Sequence, residues 1–571
     1  METGQVADLL EEIAALLEIR GDNPFRARAY LNAARTLRSL GRSVAELVGS
    51  GELPRLKGIG PSLSESIATL TRTGRLPYLE ELRASVPPAL LEILAIPGLG
   101  PRKARALIER LEVSSLGELE YACHENRVSR LEGFGARSQE KILEGIRRVK
   151  AYRGRFLLGE ALGQAEEIEA AVGPLPDVRR TCAAGALRRR VETVQEIVLV
   201  AASPAPDHSA AAFIRLPQIA SVRSRDGRWV EASLASGIPV RLRLVAEDRF
   251  GAALLSETGS AEHLAALRDR ARGAGLRLRE DGLERGDGAL PAPDEEAIYR
   301  ALGLPVIPPE LREGRGEIEA AAAGSLPDLV ADRDLRGILH VHSTWSDGRL
   351  SVEEIVRRCA GLQCEYVGIT DHSQSARYAR GLTPESLRRQ QEEIDGVREA
   401  FPRIRVLKGS EVDILPDGSL DYPDEVLRGL DFTVVSVHSA FRLTRAEQTR
   451  RITTALRNPR ATILGHPTGR LLLARDAYDV DLEEVLRVAA AEGVYLELNA
   501  HPRRLDLDSA ACRRARSLGA RFAIDPDAHD AAGLTDTRFG VAVARRAGLE
   551  AADILNTLPA ARLPDALARR A

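Results

Sequence analysis

The last part of the chain alternates short apolar runs with helical stretches, and this alternation limits the folds that the chain can adopt. After about residue 334 the apolar runs are 366–370, 404–407, 432–437, 462–464, 494–498 and 522–524. Most of them are separated by a helical stretch long enough to carry the chain back across a sheet. Strands joined in this way pair in parallel, so the segment predicts a parallel sheet or an α/β barrel.

Side chains of the types that bind metal ions stand at the ends of these runs. His340 and His342 are two positions apart, which puts both imidazoles on one face of an extended segment. The other candidates follow later runs or lie in a Ser-Asp-Gly turn, and they are Asp347, His372, Glu411, His438, His466, Asp527 and His529. The carboxyl ends of barrel strands meet at one mouth, so we expect these side chains to converge.

The number and type of these ligands predict a cluster of ions. A lone histidine at a strand end is usually structural, but six of the ten histidines of the chain fall at such places. Nine nitrogen and carboxylate ligands exceed what one tetrahedral zinc ion binds, and they suit two or three divalent ions. Clustered divalent ions activate water and neutralise phosphate oxygens. Hydrolysis of phosphate esters is therefore the predicted chemistry.

The segments around these ligands resemble, in order, the motifs of the polymerase and histidinol phosphatase (PHP) family. The matching segments are 339–343, 370–372, 409–413, 436–439, 465–470 and 527–529. The resemblance implies a distorted (β/α)7 barrel over residues 335–571, with two or three manganese or zinc ions. Its implied catalytic residues are His340, His342, His372, Asp527 and His529. Arg470 follows a ligand and would clamp a phosphate through two hydrogen bonds, or else form a surface ion pair.

Three glycine turns repeat in the first part of the chain, each between two helical patterns. Their glycines are Gly58 and Gly60, Gly98 and Gly100, and Gly133 and Gly135. Paired glycines let backbone amides approach a DNA phosphate at the start of the following helix. Three similar turns favour helix-hairpin-helix binding of DNA without sequence specificity. Lys57 and Lys103 are candidate DNA contacts beside the turns.

These turns and the segments after them resemble the body of bacterial family X polymerases. Residues 185–194 are similar to the nucleotide-binding strand of that family, and residues 250–260 to the start of its thumb. The resemblance assigns nucleotide binding to Gly185, Arg188, Arg189 and Glu196. It implies a multidomain α+β protein with an 8-kDa-like helical DNA-binding domain at 1–85, a fingers-like helix-hairpin-helix domain at 86–154, a nucleotidyltransferase-like palm at 155–248, a thumb at 249–318 and a linker at 319–334.

The palm departs from the family at the positions that bind magnesium. The family has three aspartates where this chain has Glu196, Val198 and Arg241. Valine cannot bind a metal ion, and an arginine in the pocket repels cations. We therefore expect templated synthesis, and magnesium binding in the palm, to be lost or very weak. The lyase lysines of the family fall at Ser62 and Ser66, and a hydroxyl group cannot form an imine.

We interpret the chain as a DNA-repair protein that acts mainly as a divalent-metal-dependent 3′–5′ exonuclease or phosphoesterase on gapped or 3′-ended DNA. One alternative is a working gap-filling polymerase in which Glu196, with Asp248 or Glu192, rebuilds a metal site. Two others are a DNA-binding scaffold without catalysis and a small-molecule phosphatase.

Composition bears on partners and location. The net charge is −3, so DNA contacts would come from local sites and not from a global basic field. Five cysteines without zinc or disulfide spacing fit a reducing cytoplasm. No apolar run approaches the roughly 18 residues of a membrane span. We expect a cytoplasmic monomer that binds no membrane.

Overall fold

The structure is a computed structural model that describes most of the chain. The described residues are 3–20, 24–39, 44–51, 53–56, 59–73, 76–85, 92–94, 96, 99–151, 154–286 and 288–568. The chain divides into two compact units, residues 1–149 and 150–571. Among the described residues, no helix has both the length and the apolar character needed to cross a membrane.

The first unit contains helices and turns only, as far as its described residues go. Leu10, Ile13 and Leu17 recur at helical spacing and are fully buried, so one face of the first helix packs into the core. Apolar side chains form one cluster from Val6 to Leu82 and another from Ile93 to Ile146. The helices are Thr3–Arg20, Pro24–Ser39, Val44–Ser50, Pro61–Thr73, Pro77–Ser85, Pro101–Leu111, Leu116–His124 and Ala136–Ala151.

The second unit begins with a palm-like sheet. Its strands are β1 (Phe156–Leu157), β2 (Arg180–Ala184), β3 (Thr193–Val194), β4 (Ile197–Ala202), β5 (Ile219–Arg225), β6 (Trp229–Leu234) and β7 (Pro239–Val245). β1 pairs with β3, and the others form a sheet of order β2-β4-β7-β6-β5 in which only β4 and β7 run parallel. The helices are Leu158–Val172, Gly185–Arg188 and Pro206–Phe213.

A thumb-like region follows and has its own apolar core. Its three-stranded antiparallel sheet consists of β8 (Arg277–Arg279), β9 (Gly282–Arg285) and β10 (Gly288–Leu290). Its helices are Phe250–Thr258, Ala261–Gly273, Glu295–Ala301 and Glu317–Ala322.

The segment predicted as a linker is packed at both ends. The helix Glu317–Ala322 extends into it, and Ala321 is buried in the core of the thumb-like region. Further along, the amide of Val330 donates to the carbonyl of Leu549 at 3.0 Å. The domain boundaries themselves stay predictions.

The rest of the second unit is the predicted (β/α)7 barrel, which confirms the fold class. Its strands are β11 (Gly337–Ile338), β12 (Tyr366–Ile369), β13 (Arg405–Lys408), β14 (Glu411–Asp413), β15 (Val434–Ser436), β16 (Ile463–Leu464), β17 (Tyr495–Asn499) and β18 (Phe522–Asp525). All of their pairings are parallel. The predicted runs match these strands to within about two residues at each end.

Two features give the barrel seven strands and close it. β13 and β14 are separated only by Gly409 and Ser410 and act as one interrupted strand of the barrel. A side chain at Gly409 would collide, since a Cβ there would lie 2.7 Å from the ring of Phe432. A parallel bridge between Val341 and Ala528 joins the first strand of the barrel to the last.

Helices surround the barrel, and apolar side chains fill one end of it. The helices are Val352–Gly361, Pro384–Ala400, Asp424–Leu427, Arg445–Leu456, Leu482–Glu492, Ser509–Ser517, Thr537–Ala547 and Leu563–Leu567. Tyr366, Phe432 and Tyr495 pack with Leu555 and Leu563 in one buried cluster. The polar side chains gather instead where the strands end.

Candidate metal centre

The structure brings together all nine side chains that the sequence singles out. His340 and His342 follow β11, His372 follows β12, and Glu411 begins β14. The others are His438 after β15, His466 after β16, Asp527 and His529 after β18, and Asp347 in its turn. None of the nine side chains is more than 9% exposed.

Their donor atoms form three adjoining groups. Within each group the donor atoms lie within 4.8 Å of one another, and the groups are His342, Asp347, His372 and His529; His340, His342 and Asp527; and His372, Glu411 and His438. Two histidines are shared between groups, so the three positions are neighbours. Nε2 of His466 lies 2.9 Å from Oε1 of Glu411, beside the third group. Imidazole and carboxylate donors in this number suit two or three divalent transition-metal ions.

The donor atoms fit cations better than they fit one another. Nε2 of His340, both ring nitrogens of His342 and Oε2 of Glu411 are buried but make no hydrogen bond of good geometry among the described residues. A buried polar atom without a partner costs about 1–3 kcal/mol. Cations bound at these atoms would remove that cost.

Negative charge in the centre is fixed at neutral pH. Burial acts to raise the pKa of Glu411, but the charges of His438, His372 and His340 outweigh it and hold that pKa well below its usual range. Burial is likewise outweighed at Asp527, whose pKa lies well below its usual range because His340 and His342 are adjacent. Both carboxylates are therefore ionised and attract cations.

The histidines differ in protonation. Burial, followed by the charges of His529 and His372, lowers the pKa of His342 to about 4, so its ring is neutral and can donate a lone pair. At His438 burial acts in the same direction, but Glu411 and Asp413 outweigh it and raise the pKa to about 10. A metal ion that binds His438 must displace that proton.

Two of the nine residues have backbone conformations that side chains seldom adopt. His466 has a φ of 26° and Asp527 a φ of 50°. Such conformations cost of order 1–3 kcal/mol and cluster at functional sites. Here they accompany side chains that reach the centre of the cluster.

Two carboxylates outside the predicted ligand set contact the Nδ1 atoms of two of the histidines. Oε1 of Glu497 lies 2.6 Å from Nδ1 of His340, and Oδ1 of Asp413 lies 2.7 Å from Nδ1 of His438. Such carboxylates fix the tautomer and the orientation of a metal-binding imidazole. Asp413 stands in the same short segment as Glu411, and Glu497 is a charged residue in the otherwise apolar run of β17, so both carried a weak signal.

A third carboxylate, Asp371, organises the turn that carries Asp347. It accepts hydrogen bonds from the amide of Ser343 at 2.8 Å and from the amide of Ser346 at 3.1 Å. The Nε2 amide group of Gln390 also donates to it. Asp371 therefore positions a ligand without belonging to the cluster.

Arg470 forms an ion pair, the second of the two roles expected for it. Its guanidinium donates to Oε1 of Glu192 at 2.9 Å and to the carbonyl of Arg504 at 3.1 Å. It thereby links the barrel to the palm-like region, and the phosphate clamp stays a prediction. The arginine beside the cluster is Arg504, which is 4% exposed and whose Nε lies 3.4 Å from Oδ2 of Asp527.

In the palm-like sheet, an ion-pair network occupies the place of a metal site. The register of β4 and β7 sets Val198 beside Arg241. The guanidinium of Arg241 lies 3.3 Å from the carboxylate of Glu196 and 3.2 Å from that of Glu257. Glu196 therefore faces a cation that the protein itself supplies. Glu192, one residue suggested for a rebuilt site, is bound by Arg470 instead.

The predicted nucleotide-binding arginines also have partners within the protein. Arg188 pairs with Glu295 through two hydrogen bonds of 2.8 and 2.7 Å, and Arg189 lies 3.1 Å from Glu313. Both carboxylates come from the thumb-like region. Gly185, with a φ of 70°, precedes these arginines at a sharp turn. Nucleotide binding by this segment would require the ion pairs to open.

The three glycine turns share one backbone pattern. In each, an amide donates to the carbonyl three residues earlier: Ile59 to Leu56 at 3.1 Å, Leu99 to Ile96 at 3.1 Å and Phe134 to Leu131 at 2.9 Å. A Cβ at Gly60, Gly100, Gly133 or Gly135 would meet no atom within 4 Å, so this face of each turn is open. Nζ of Lys103 lies 5.9 Å from the ring centre of Phe134. Lys57, Gly58 and Gly98 lie outside the described residues.

Comparison with known protein families assigns four parts of the chain. Residues 1–76 match the helix-hairpin-helix domain, and residues 90–148 match the SAM-like helix-hairpin-helix tandem. Residues 253–313 match the DNA polymerase beta thumb, and residues 339–501 match the PHP domain.

Known proteins with similar sequences include a polymerase and several probable phosphatases. The DNA polymerase/3'-5' exonuclease PolX of Bacillus subtilis is 37% identical over 97% of this chain and 97% of its own length. A probable phosphatase of Acetivibrio thermocellus is 30% identical over 28% of this chain and 64% of its own length. A probable phosphatase of Syntrophotalea carbinolica is 29% identical over 38% of this chain and 90% of its own length.

Proposed function

Because the chain belongs to the bacterial family X DNA polymerases that carry a PHP domain, we propose that it acts in DNA repair mainly as a metal-dependent 3′–5′ exonuclease or phosphoesterase. Its substrates would be gapped or 3′-ended DNA. The family includes polymerases, so the proposal concerns which of two sites in this chain is chemically competent.

The contrast between the two sites carries the proposal. In the barrel, nine converging donors include buried atoms without hydrogen bonds among the described residues. In the palm, Val198 cannot bind a metal ion, and Arg241 already pairs with both Glu196 and Glu257. A divalent cation placed there would have to displace an arginine from two carboxylates. Hydrolysis is thus favoured over templated synthesis.

The residues of the centre would divide the work as follows. The nine donors would hold two or three ions, with manganese or zinc the best match to imidazole and carboxylate ligands. When bound, such ions lower the pKa of water and neutralise phosphate charge. Among the nine, His340, His342, His372, Asp527 and His529 are the proposed catalytic residues. Glu497 and Asp413 hold His340 and His438 in the tautomer that presents Nε2 to the centre.

The remaining domains would hold the DNA. The three open glycine turns offer backbone amides to phosphates of either strand. The thumb-like region is matched by the polymerase beta thumb and would contact the duplex beside the 3′ end. We propose that the protein works as a monomer in the cytoplasm, since neither the turns nor the centre needs a second copy.

The direct test is degradation of labelled gapped DNA with manganese, with and without dNTPs. We expect shortening from the 3′ end in the wild type and none in His340→Ala, while DNA affinity stays nearly the same. His208→Ala is the matched control, because that histidine is exposed in the palm-like region and pairs there with Asp177. Equal degradation by His340→Ala would refute the assignment.

The same reactions test for a working polymerase. Added dNTPs should not extend the primer, and Glu196→Ala should leave every product unchanged. Efficient extension that Glu196→Ala abolishes would show that the palm has a rebuilt metal site.

A further inference from the structure

A loop at the mouth of the metal centre presents an aromatic ring to solvent. It covers residues 373–383 and follows His372 directly. Tyr378 in this loop is 40% exposed. Its ring centre nevertheless lies 6.0 Å from that of His372 and 6.3 Å from that of His438, and the ring is inclined to these imidazoles by 62° and 70°. The ring therefore borders the centre while part of its surface stays open to a ligand.

The backbone of the loop is firmly anchored beneath this ring. The amide of Leu382 donates to the carbonyl of His372 at 2.8 Å, which closes the loop at its base. Oγ of Ser375 donates to Asp413 at 2.6 Å, so the loop is tied to the carboxylate behind His438. At Gly381 a Cβ would lie only 1.8 Å from a carbonyl oxygen, so the close approach requires glycine. The ring is thus positioned before any ligand arrives, which lowers the entropic cost of binding.

A cavity lies beside the two arginines that flank Tyr378 in the loop. Arg377 and Arg380 line a cavity of about 790 Å³, together with Gln374, Ser375, Gly381, Thr383 and Asp421. This volume is within the usual range for small-ligand sites. The guanidinium of Arg380 donates to the carbonyls of Thr344 and Ser346, in the turn that carries Asp347. The side chain of Arg377 is exposed to solvent.

We propose that this loop is the subsite for the 3′-terminal nucleotide of the DNA substrate, an inference that rests on the proposed function. Tyr378 stacks on the terminal base, and Arg377 pairs with a phosphate of the strand. Arg380 holds the loop against the ligand turn. Every base has a π face, so stacking tolerates all sequences, as removal of successive nucleotides requires. The ring centre lies within 6.3 Å of two imidazoles of the centre, so a base stacked on the ring brings the last phosphodiester of the strand close to the centre.

Binding is tested first, without hydrolysis. Single-stranded DNA with 2-aminopurine as its 3′-terminal base is added to His340→Ala in the presence of manganese. Stacking on Tyr378 should quench the fluorescence of 2-aminopurine. The quenching should disappear in the double variant that adds Tyr378→Ala to His340→Ala, and it should persist in the double variant that adds Tyr378→Phe. Quenching that is unchanged by Tyr378→Ala would overturn the proposal.

Kinetics on two kinds of 3′ end separate stacking from a structural role. With an ordinary terminal nucleotide, Tyr378→Ala should lose about tenfold or more in kcat/KM, as expected from removal of one base–aromatic stack. With an abasic terminal nucleotide the variant should match the wild type, and Tyr378→Phe should restore the preference for a base. Leu362→Ala is the control, since that side chain is also exposed, at 48%, but lies in the segment after another barrel helix. Equal losses on both ends would mean that Tyr378 is only structural, and would overturn the proposal.

Arg377→Ala separates the phosphate contact from the stack. The affinity of this variant for single-stranded DNA should fall equally for ordinary and abasic 3′ ends. The slope of log affinity against log salt concentration should decrease in magnitude by about 0.7, as expected for one phosphate contact on a single strand. Arg357→Ala, at a 63% exposed arginine on a barrel helix, is the control. An unchanged salt slope would remove Arg377 from the subsite. If the wild type quenched the fluorescence of 2-aminopurine but did not degrade the DNA, the subsite would be supported and the proposed function refuted.

Discussion

Replacing Glu497 with glutamine should weaken metal binding while the barrel stays folded. The carboxylate is fully buried. One of its oxygens lies 2.6 Å from Nδ1 of His340, and the other accepts from the amide of His466 at 2.6 Å and from Asn499 at 3.0 Å. Glutamine preserves the shape and one acceptor oxygen, but it removes the negative charge.

The size of the effect follows from this contact. Burial acts to lower the pKa of His340, and the charge of Glu497 is the largest of the effects that raise it well above its usual value. The same charge stabilises a metal ion on the opposite ring nitrogen. Loss of such a partner typically costs 10- to 100-fold in metal affinity, which corresponds to about 1.4–2.7 kcal/mol.

Calorimetric titration with manganese measures this loss directly. Glu497→Gln should show a larger dissociation constant for manganese than the wild type. Degradation of 3′ ends should recover largely at saturating manganese, because the ligands themselves remain. Glu483→Gln is the matched control, since Glu483 is 50% exposed and pairs with Arg514 on the outer surface. An unchanged manganese affinity in Glu497→Gln would refute the reasoning.

Three further predictions follow from the same structure. Burial raises the pKa of Glu295, but Arg188 and Arg312 outweigh it and lower the pKa from 4.5 to about 2; this stabilises the fold by about 3 kcal/mol above pH 4.5, and the contribution is lost as the pH falls toward 2. Urea unfolding of Glu295→Gln should therefore show less dependence on pH between 2 and 4.5 than the wild type, and an identical dependence would contradict the ion-pair account. Chelation should abolish 3′-end degradation and lower the melting temperature, and manganese should restore both; activity that survives chelation would contradict a metal site. Gly100→Val adds bulk to an open turn, so DNA affinity measured by fluorescence anisotropy should fall while the melting temperature stays the same; unchanged affinity would remove that turn from the DNA contacts.

The metal centre could be predicted because its rule is local. Each ligand stands at the end of an apolar run, and barrel topology brings such ends together whatever the loops between them do. His340, Glu411 and His466 therefore needed no knowledge of long-range contacts. The alternation of strand and helix predicted a parallel sheet or an α/β barrel, and the family resemblance implied seven strands.

The supporting contacts could not be predicted, because they join residues far apart in the chain. His340 and Glu497 are separated by 157 positions. Arg470 stands four residues after His466, but its guanidinium turns to Glu192, which is 278 positions away. Proximity in sequence left two partners open there, a phosphate or a carboxylate, since a long side chain can reach either side of a strand end.

The palm illustrates an intermediate case. The missing aspartates at Val198 and Arg241 could be recognised from the sequence. What replaced them could not, since Glu257 and Glu295 come from the thumb-like region and approach Arg241 and Arg188 of the palm-like region only in the folded structure. The substitutions thus removed the cluster of aspartates, and ion pairs between arginines and glutamates stand in its place.

Anomalous X-ray scattering from manganese-soaked crystals of the full chain tests the central claim most directly. The account predicts two or three manganese peaks among the nine barrel donors and none beside Glu196. Peaks scattered elsewhere, or an empty barrel mouth in excess manganese, would contradict it.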